Sequence, residues 1–237
     1  MIIEDSELGN IILKPNARAR TIICRYRDGQ FQLTFPSHLS KAEIMKTIES
    51  MRQDMHRLKE NHPESDILLQ NGSEREMYQS KIKISEGSLR NFYYGYRDGV
   101  HNIVCPPGTD YSTMETKTIL KKHIVNILRK SAMEALPPKA EHYASIHGFS
   151  YQQVKINTSR GRWGSCSSRQ TINLSCFCML FPEYLIDFVI LHELCHTIEM
   201  NHGVKFWQLL DSVTQNNAKR LTKELALQSK KVYLNRL

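Results

Sequence analysis

Residues 191–202 read LHELCHTIEMNH and bring three histidines and a glutamate within reach of one metal ion. On an α-helix, positions i and i+4 lie about 40° apart and about 6 Å along the axis. His192 and His196 therefore project from one face and can share an ion through their imidazole nitrogens. Glu193 lies about 100° round from His192, beside such an ion rather than on it, where it can take a proton from a water the metal activates. Two histidines simply satisfied on a buried helix would look similar at this point. The flanking residues speak against that: Tyr184, Leu185, Phe188, Val189, Leu191 and Ile198 make the helix largely apolar. Uncompensated imidazoles and a carboxylate in its middle would be costly, and a bound cation removes that cost.

A catalytic zinc usually has three protein ligands and one open position. Glu199 shares the helical face, but three ligands along a straight helix would span about 10 Å and cannot converge on one ion. Asp211 could reach back from a following helix. His202 would lie about 15 Å from His192 on an unbroken helix, so it can ligate only if the chain turns after His196. Asn201 and Gly203 bracket it, and both residue types tolerate a left-handed turn. That turn chemistry favours His202 as the third ligand and predicts a helix break between His196 and His202. One zinc ion is the expected cofactor, although manganese and nickel can also use imidazole ligands.

A folded scaffold must hold this helix, and the composition allows one. The 237 residues are 41% hydrophobic and 24% charged, ordinary for a globular chain long enough to bury a full core. MIIEDSELGN carries three acids and leads into no apolar run, unlike a signal peptide, and no stretch approaches the roughly 18 apolar residues of a membrane span. The six cysteines form no even framework, and Cys176 and Cys178 are spaced C-x-C without a matching pair. Reduced thiols in a cytoplasmic protein follow as the expectation. The net charge of +8 could attract a phosphate backbone, yet the cations are scattered and no aromatic residues are interleaved among them for base stacking.

The first half reads β-rich. TIICRYRDGQFQLTFP is a hairpin turning at Asp28-Gly29, and FYYGYRDGVHNIVCPPG is another turning at Asp98-Gly99. YRDG occurs twice, but the flanking residues do not support an internal duplication. Between the hairpins, Ile44, Ile48, Met51, Met55 and Leu58 are spaced as one helix, with Ser40 and Glu43 as a capping box, and 61–72 reads as loop. Pro106-Pro107-Gly108 divides a subdomain over 1–108 from a second part over 109–237. In the second part a long amphipathic helix uses Ile119, Ile124, Ile127 and Leu128, and a shorter helix follows Pro138 and stops at Gly148. YQQVKIN and TINLS read as strands separated by a polar turn, GSCSSRQ. The proline-led metal helix and two further helical stretches complete an α+β chain.

RWGSCSSRQTINLS, PEYLIDFVILHELCH and NHGVKFW together resemble the YgjP-like family of zinc metallopeptidases, relatives of the WLM and SprT-like proteases. The likeness is dense from Gly161 to Leu210 and looser in element order over most of the chain. It implies a minimal zincin-like catalytic core with a β-rich N-terminal subdomain, and a peptide or protein substrate. It also implies that His192, His196 and His202 are ligands and Glu193 the general base. By the same resemblance, TINLS would be an edge strand that pairs with substrate through Thr171, Ile172, Asn173 and Leu174. Trp163 reads as a packing anchor and Gly164 as a backbone bend, while Arg162 could hold a carboxylate or a developing oxyanion. Phe206 and Trp207 would pack the segment carrying His202.

Two other readings stay open. The YbeY family of metal-dependent ribonucleases has the same histidine spacing, and the net charge fits a phosphate partner, but its pattern places glycine where this chain has Glu193. A protease recruited to nucleic acid is the other, as the WLM and SprT-like relatives suggest, although no DNA-binding module is recognisable.

Overall fold

The structure, a computed structural model, describes residues 2–27, 30–60 and 69–234. The strands β1 (Ile2–Asp5), β2 (Gly9–Pro15), β3 (Ile23–Arg27) and β4 (Gln30–Phe35) form a sheet in the order β1-β2-β4-β3. Its central pair is parallel and its outer pairs are antiparallel. Alternation turns Ile11, Leu13, Phe31, Leu33 and Phe35 to one face. There they join Ile44, Ile48 and Met55 of the helices α1 (Lys41–Ser50) and α2 (Arg52–Glu60) in one apolar core. The Ser40–Glu43 capping box is formed. The single helix expected here is two, because the chain leaves helical geometry at Met51 (φ −96°, ψ 1°). The Asp28-Gly29 turn, and the expected loop except for its last residues, lie outside the described residues.

A second sheet repeats the first. Strands β5 (Glu74–Met77), β6 (Ser80–Glu86), β7 (Tyr93–Arg97) and β8 (Val100–Cys105) are ordered β5-β6-β8-β7, again with a parallel central pair between antiparallel neighbours. Asp98 (φ 50°) and Gly99 (φ 77°) make the two-residue left-handed turn that suits a twisted hairpin. The module is thus built twice, contrary to the reading of the flanking residues. What repeats is the buried pattern rather than the letters: Ile82 and Ile84 stand where Ile11 and Leu13 do, and His101, Ile103 and Cys105 where Phe31, Leu33 and Phe35 do.

The chain divides into two compact units, Met1–Ile67 with Tyr233–Leu237, and Leu68–Val232. The second sheet therefore groups with the helices, whereas the division expected at residue 108 groups it with the first sheet. Tyr78, between β5 and β6, supplies the physical link: its N–H donates to the Met179 carbonyl (2.7 Å) and its hydroxyl to Glu183 (2.8 Å).

In this larger unit, α3 (Met114–His147) runs unbroken through Pro137 and Pro138, where two helices were expected. Each proline removes one helical hydrogen bond. The buried line of Leu128, Ala132, Leu136, Ala140 and Ala144 continues across them, so packing carries the helix through the gap. Left-handed Gly148 ends it. A three-stranded sheet follows, from β9 (Gln153–Asn157), β10 (Gly164–Cys166) and β11 (Thr171–Ser175), in the order β10-β11-β9. A 3-10 turn (Cys176–Leu180) then leads to α4 (Glu183–Cys195), α5 (Val204–Val213) and α6 (Ala218–Leu234). The fold is α+β. All six cysteines are unpaired, and no described helix is long and apolar enough to cross a membrane.

Lys139 fastens α4 to α3. Its ammonium lies 2.6 Å from Glu183 and 2.8 Å from Asp187, both on α4, and 5.3 Å from the centre of the Tyr78 ring. Burial alone would push its pKa down, but the hydrogen bonds to Asp187 and Glu183 hold it above the usual lysine value. Lys139→Met strands two carboxylates on the helix that carries the histidines. It should cost about 1–3 kcal/mol in urea unfolding; an unchanged midpoint would show that apolar packing alone holds α4.

Candidate metal centre

α4 presents His192, and its C-terminal cap is His196. Beyond it the helix tightens: the N–H groups of Thr197 and Ile198 donate to Leu194 and Cys195, three residues back. Gly203 N–H then reaches the Asn201 carbonyl (2.8 Å), a three-residue turn centred on His202, and α5 starts at Val204. The helix ends between His196 and His202. The left-handed residue expected there is absent, since Gly203 is extended (φ −78°) and Asn201 has no positive φ. The 3-10 tightening and the short turn reverse the chain without it.

The reversal brings three imidazoles together. The Nε2 atoms of His192, His196 and His202 are 3.2 Å (192–196), 3.2 Å (196–202) and 3.0 Å (192–202) apart. Two nitrogens bound at about 2.0–2.1 Å to a tetrahedral zinc are about 3.3 Å apart, so this triangle fits one ion closely. His196 Nδ1 donates to the Glu199 carbonyl (2.9 Å), which turns the Nε2 lone pair toward the other two rings. Burial, then the neighbouring imidazoles of His196 and His202, push His192 down to about 3, and burial also lowers His196. Neutral imidazoles are the form that ligates. Phe206, fully buried on α5, floors the group, with its ring centre 4.9, 4.5 and 4.6 Å from those of His192, His196 and His202.

Neither acidic candidate joins the cluster. Asp211 Oδ1 accepts the Ala218 N–H and caps α6, and Glu199 contributes its backbone carbonyl to His196.

Glu193 is 6% exposed, and burial raises its carboxyl to about 8. Its Oε2 is buried without a hydrogen-bond partner among the described residues, a costly state for a carboxylate that has no ligand to meet. Gly164 makes room for it. A Cβ at that position would lie 2.5–2.7 Å from the Glu193 side chain. Gly164 is thus a close-approach residue and not the bend expected from the sequence.

The remaining expected contacts redistribute. β11 is the central strand, paired with β9 on one side and β10 on the other, so it has no free edge for substrate. Ile172 and Leu174 point into the core; Thr171 and Asn173 are half-buried. β10 and β9 are the edge strands, and β10, whose three small residues sit inside what reads as a polar turn, is the one that meets Glu193. Arg162 is exposed just before β10, and Trp163 packs edge-on against Phe181 at 4.4 Å.

Gly164→Ala tests this packing. The added methyl should cost about 1–3 kcal/mol in thermal or urea unfolding, and pairing it with Glu193→Ala should restore most of the loss. A cost that persists in the double variant would place its origin in the β10 backbone instead.

A family model described as YgjP-like, metallopeptidase domain, matches residues 20–228. Two solved structures are similar to part of the chain. One is the metallopeptidase zymogen of Pyrococcus abyssi abylysin (21% identity over 39% of this chain and 93% of that one, TM-score 0.36). The other is the metallopeptidase zymogen of Methanocaldococcus jannaschii jannalysin (21% identity, 39% and 95%, TM-score 0.35). No curated protein matches the chain. With the family match spanning most of its length, the chain belongs to the YgjP-like metallopeptidases and is a metal-dependent peptidase.

Proposed function

We propose that the enzyme is a zinc peptidase in which His192, His196 and His202 hold the ion and Glu193 is the general base. The convergence of three Nε2 atoms to within 3.2 Å carries this reading. When bound, zinc acidifies a water and polarises a carbonyl. The protein's own groups do the rest. Burial disposes Glu193 to keep a proton once it has one, and a cation at the triad favours its ionised form between turnovers. It therefore takes a proton from the attacking water and delivers it to the departing amine. The carbonyl of Glu199 fixes the His196 tautomer throughout.

β10 suits an extended substrate. Trp163 O accepts from Ser175 and Ser167 N–H donates to Thr171, so Gly164 and Cys166, one residue inward from each, turn their peptide groups away from β11. A peptide can add there by backbone hydrogen bonds that do not depend on its sequence.

Glu193→Gln should retain zinc while peptide hydrolysis falls about 10²–10⁴-fold; a variant as fast as the parent would remove Glu193 from the chemistry. His202→Ala should strongly reduce zinc occupancy by atomic absorption. Occupancy equal to the parent's would take His202 out of the ligand set. Casein and RNA offered to the zinc-loaded enzyme should separate peptide from phosphodiester hydrolysis, with casein alone degraded.

A further inference from the structure

We infer that the enzyme prefers polypeptides with acidic side chains flanking the cleaved bond, an inference that rests on the peptidase reading and on β10 as the substrate edge. Residues 142–182, which contain the whole three-stranded sheet, include no Asp or Glu but carry Lys155, Arg160, Arg162 and Arg169. Two of these cations bracket the free edge of β10. Arg162 stands two residues before Gly164, and Arg169 lies on the turn that joins β10 to β11. Both are exposed, and neither has an ion-pair partner among the described residues. Arg57, Arg97 and Arg220 are paired with Asp54, Asp98 and Glu224, whereas Arg18, Arg20, Arg25, Arg90 and Arg129 are exposed with no ion pair among the described residues, so it is their place at the ends of β10 that sets Arg162 and Arg169 apart. The bracketing arginines are therefore available to an incoming carboxylate.

Across the site, Lys205 occupies the first turn of α5, three residues past His202, where the helix dipole disfavours a cation. Helix stability does not explain a lysine there, whereas an anionic substrate does. Ile198 in the preceding connection and Val204 at the start of α5 are 59% and 74% exposed and offer apolar surface to a ligand. Glu199 is the only carboxylate in the connection from α4 to α5. An extended chain lying along β10 would thus meet cations at both ends of the strand and a mixed apolar and cationic rim beyond the histidines.

A peptide is favoured over a nucleic acid because the unpaired strand edge offers alternating amide donors and acceptors, the complement of another peptide backbone.

The test uses the zinc-loaded full chain and matched fluorogenic peptides with Glu, Gln or Lys on both sides of the cleaved bond. The Glu peptide should exceed the Gln peptide in kcat/KM by about three- to tenfold at low salt, as expected of exposed ion pairs, mainly through KM. The Lys peptide should be slowest, and the ratio should shrink in 0.5 M salt. Arg162→Gln with Arg169→Gln should bring the Glu-to-Gln ratio close to one, while Arg97→Gln should leave it as it was. In the Glu193→Gln protein, fluorescence anisotropy should show the same order of binding without turnover. Equal rates for the three peptides, or a ratio that survives the double variant, would overturn the charge preference and leave the peptidase reading intact. Charge-independent cleavage that single-stranded RNA blocks would assign these cations to nucleic acid instead. Cleavage of none of the peptides would count against the peptidase reading and remove the preference with it.

Discussion

Three imidazole nitrogens held about 3 Å apart impose the constraint on which the rest of this structure depends. Imidazoles aimed at one point cannot all donate to one another, and their lone pairs repel unless a cation stands between them. The protein spends considerable structure on keeping them there. α4 supplies two histidines one helical turn apart, and the chain reverses in six residues to supply the third. The Phe206 ring closes the space beneath all three. Burial keeps His192 neutral, and a backbone carbonyl selects the tautomer of His196.

The surroundings follow from the same demand. A helix with a carboxylate and two imidazoles along an apolar course must be gripped firmly. α3 and the β10-β11-β9 sheet provide the grip, with Lys139 as a polar clasp at the other end of α4. Gly164 lets the sheet approach Glu193 more closely than any side chain would permit. The free edge of β10 and the buried, unpartnered carboxylate oxygen of Glu193 are thereby brought together by a single missing methyl group. Tyr78 ties the second sheet to this grip through Met179 and Glu183.

What was legible in the sequence was what local geometry decides. Helical spacing placed His192 and His196 on one face, and distance along a helix required the break before His202. The Asp98-Gly99 hairpin, the Ser40 cap and the Gly148 stop were readable because each depends on a few adjacent residues. Relations between distant segments were not readable. TINLS alternates as a strand should, but its position in the middle of its sheet depends on β9 and β10, the latter hidden as Gly-Ser-Cys in a polar stretch. Pro137-Pro138 signalled a break that the buried line of α3 overrides. The doubled YRDG did not establish the repeated module because its two copies share burial and pairing while differing in almost every letter outside that tetrapeptide.

The central claim is that these three histidines, and no thiol or carboxylate of the chain, hold one zinc ion. X-ray absorption spectroscopy of the zinc-loaded protein tests it most directly. The account predicts three imidazole nitrogens at about 2.0–2.1 Å with a remaining oxygen from solvent. A sulfur scatterer at about 2.3 Å, or fewer than three imidazoles, would contradict it.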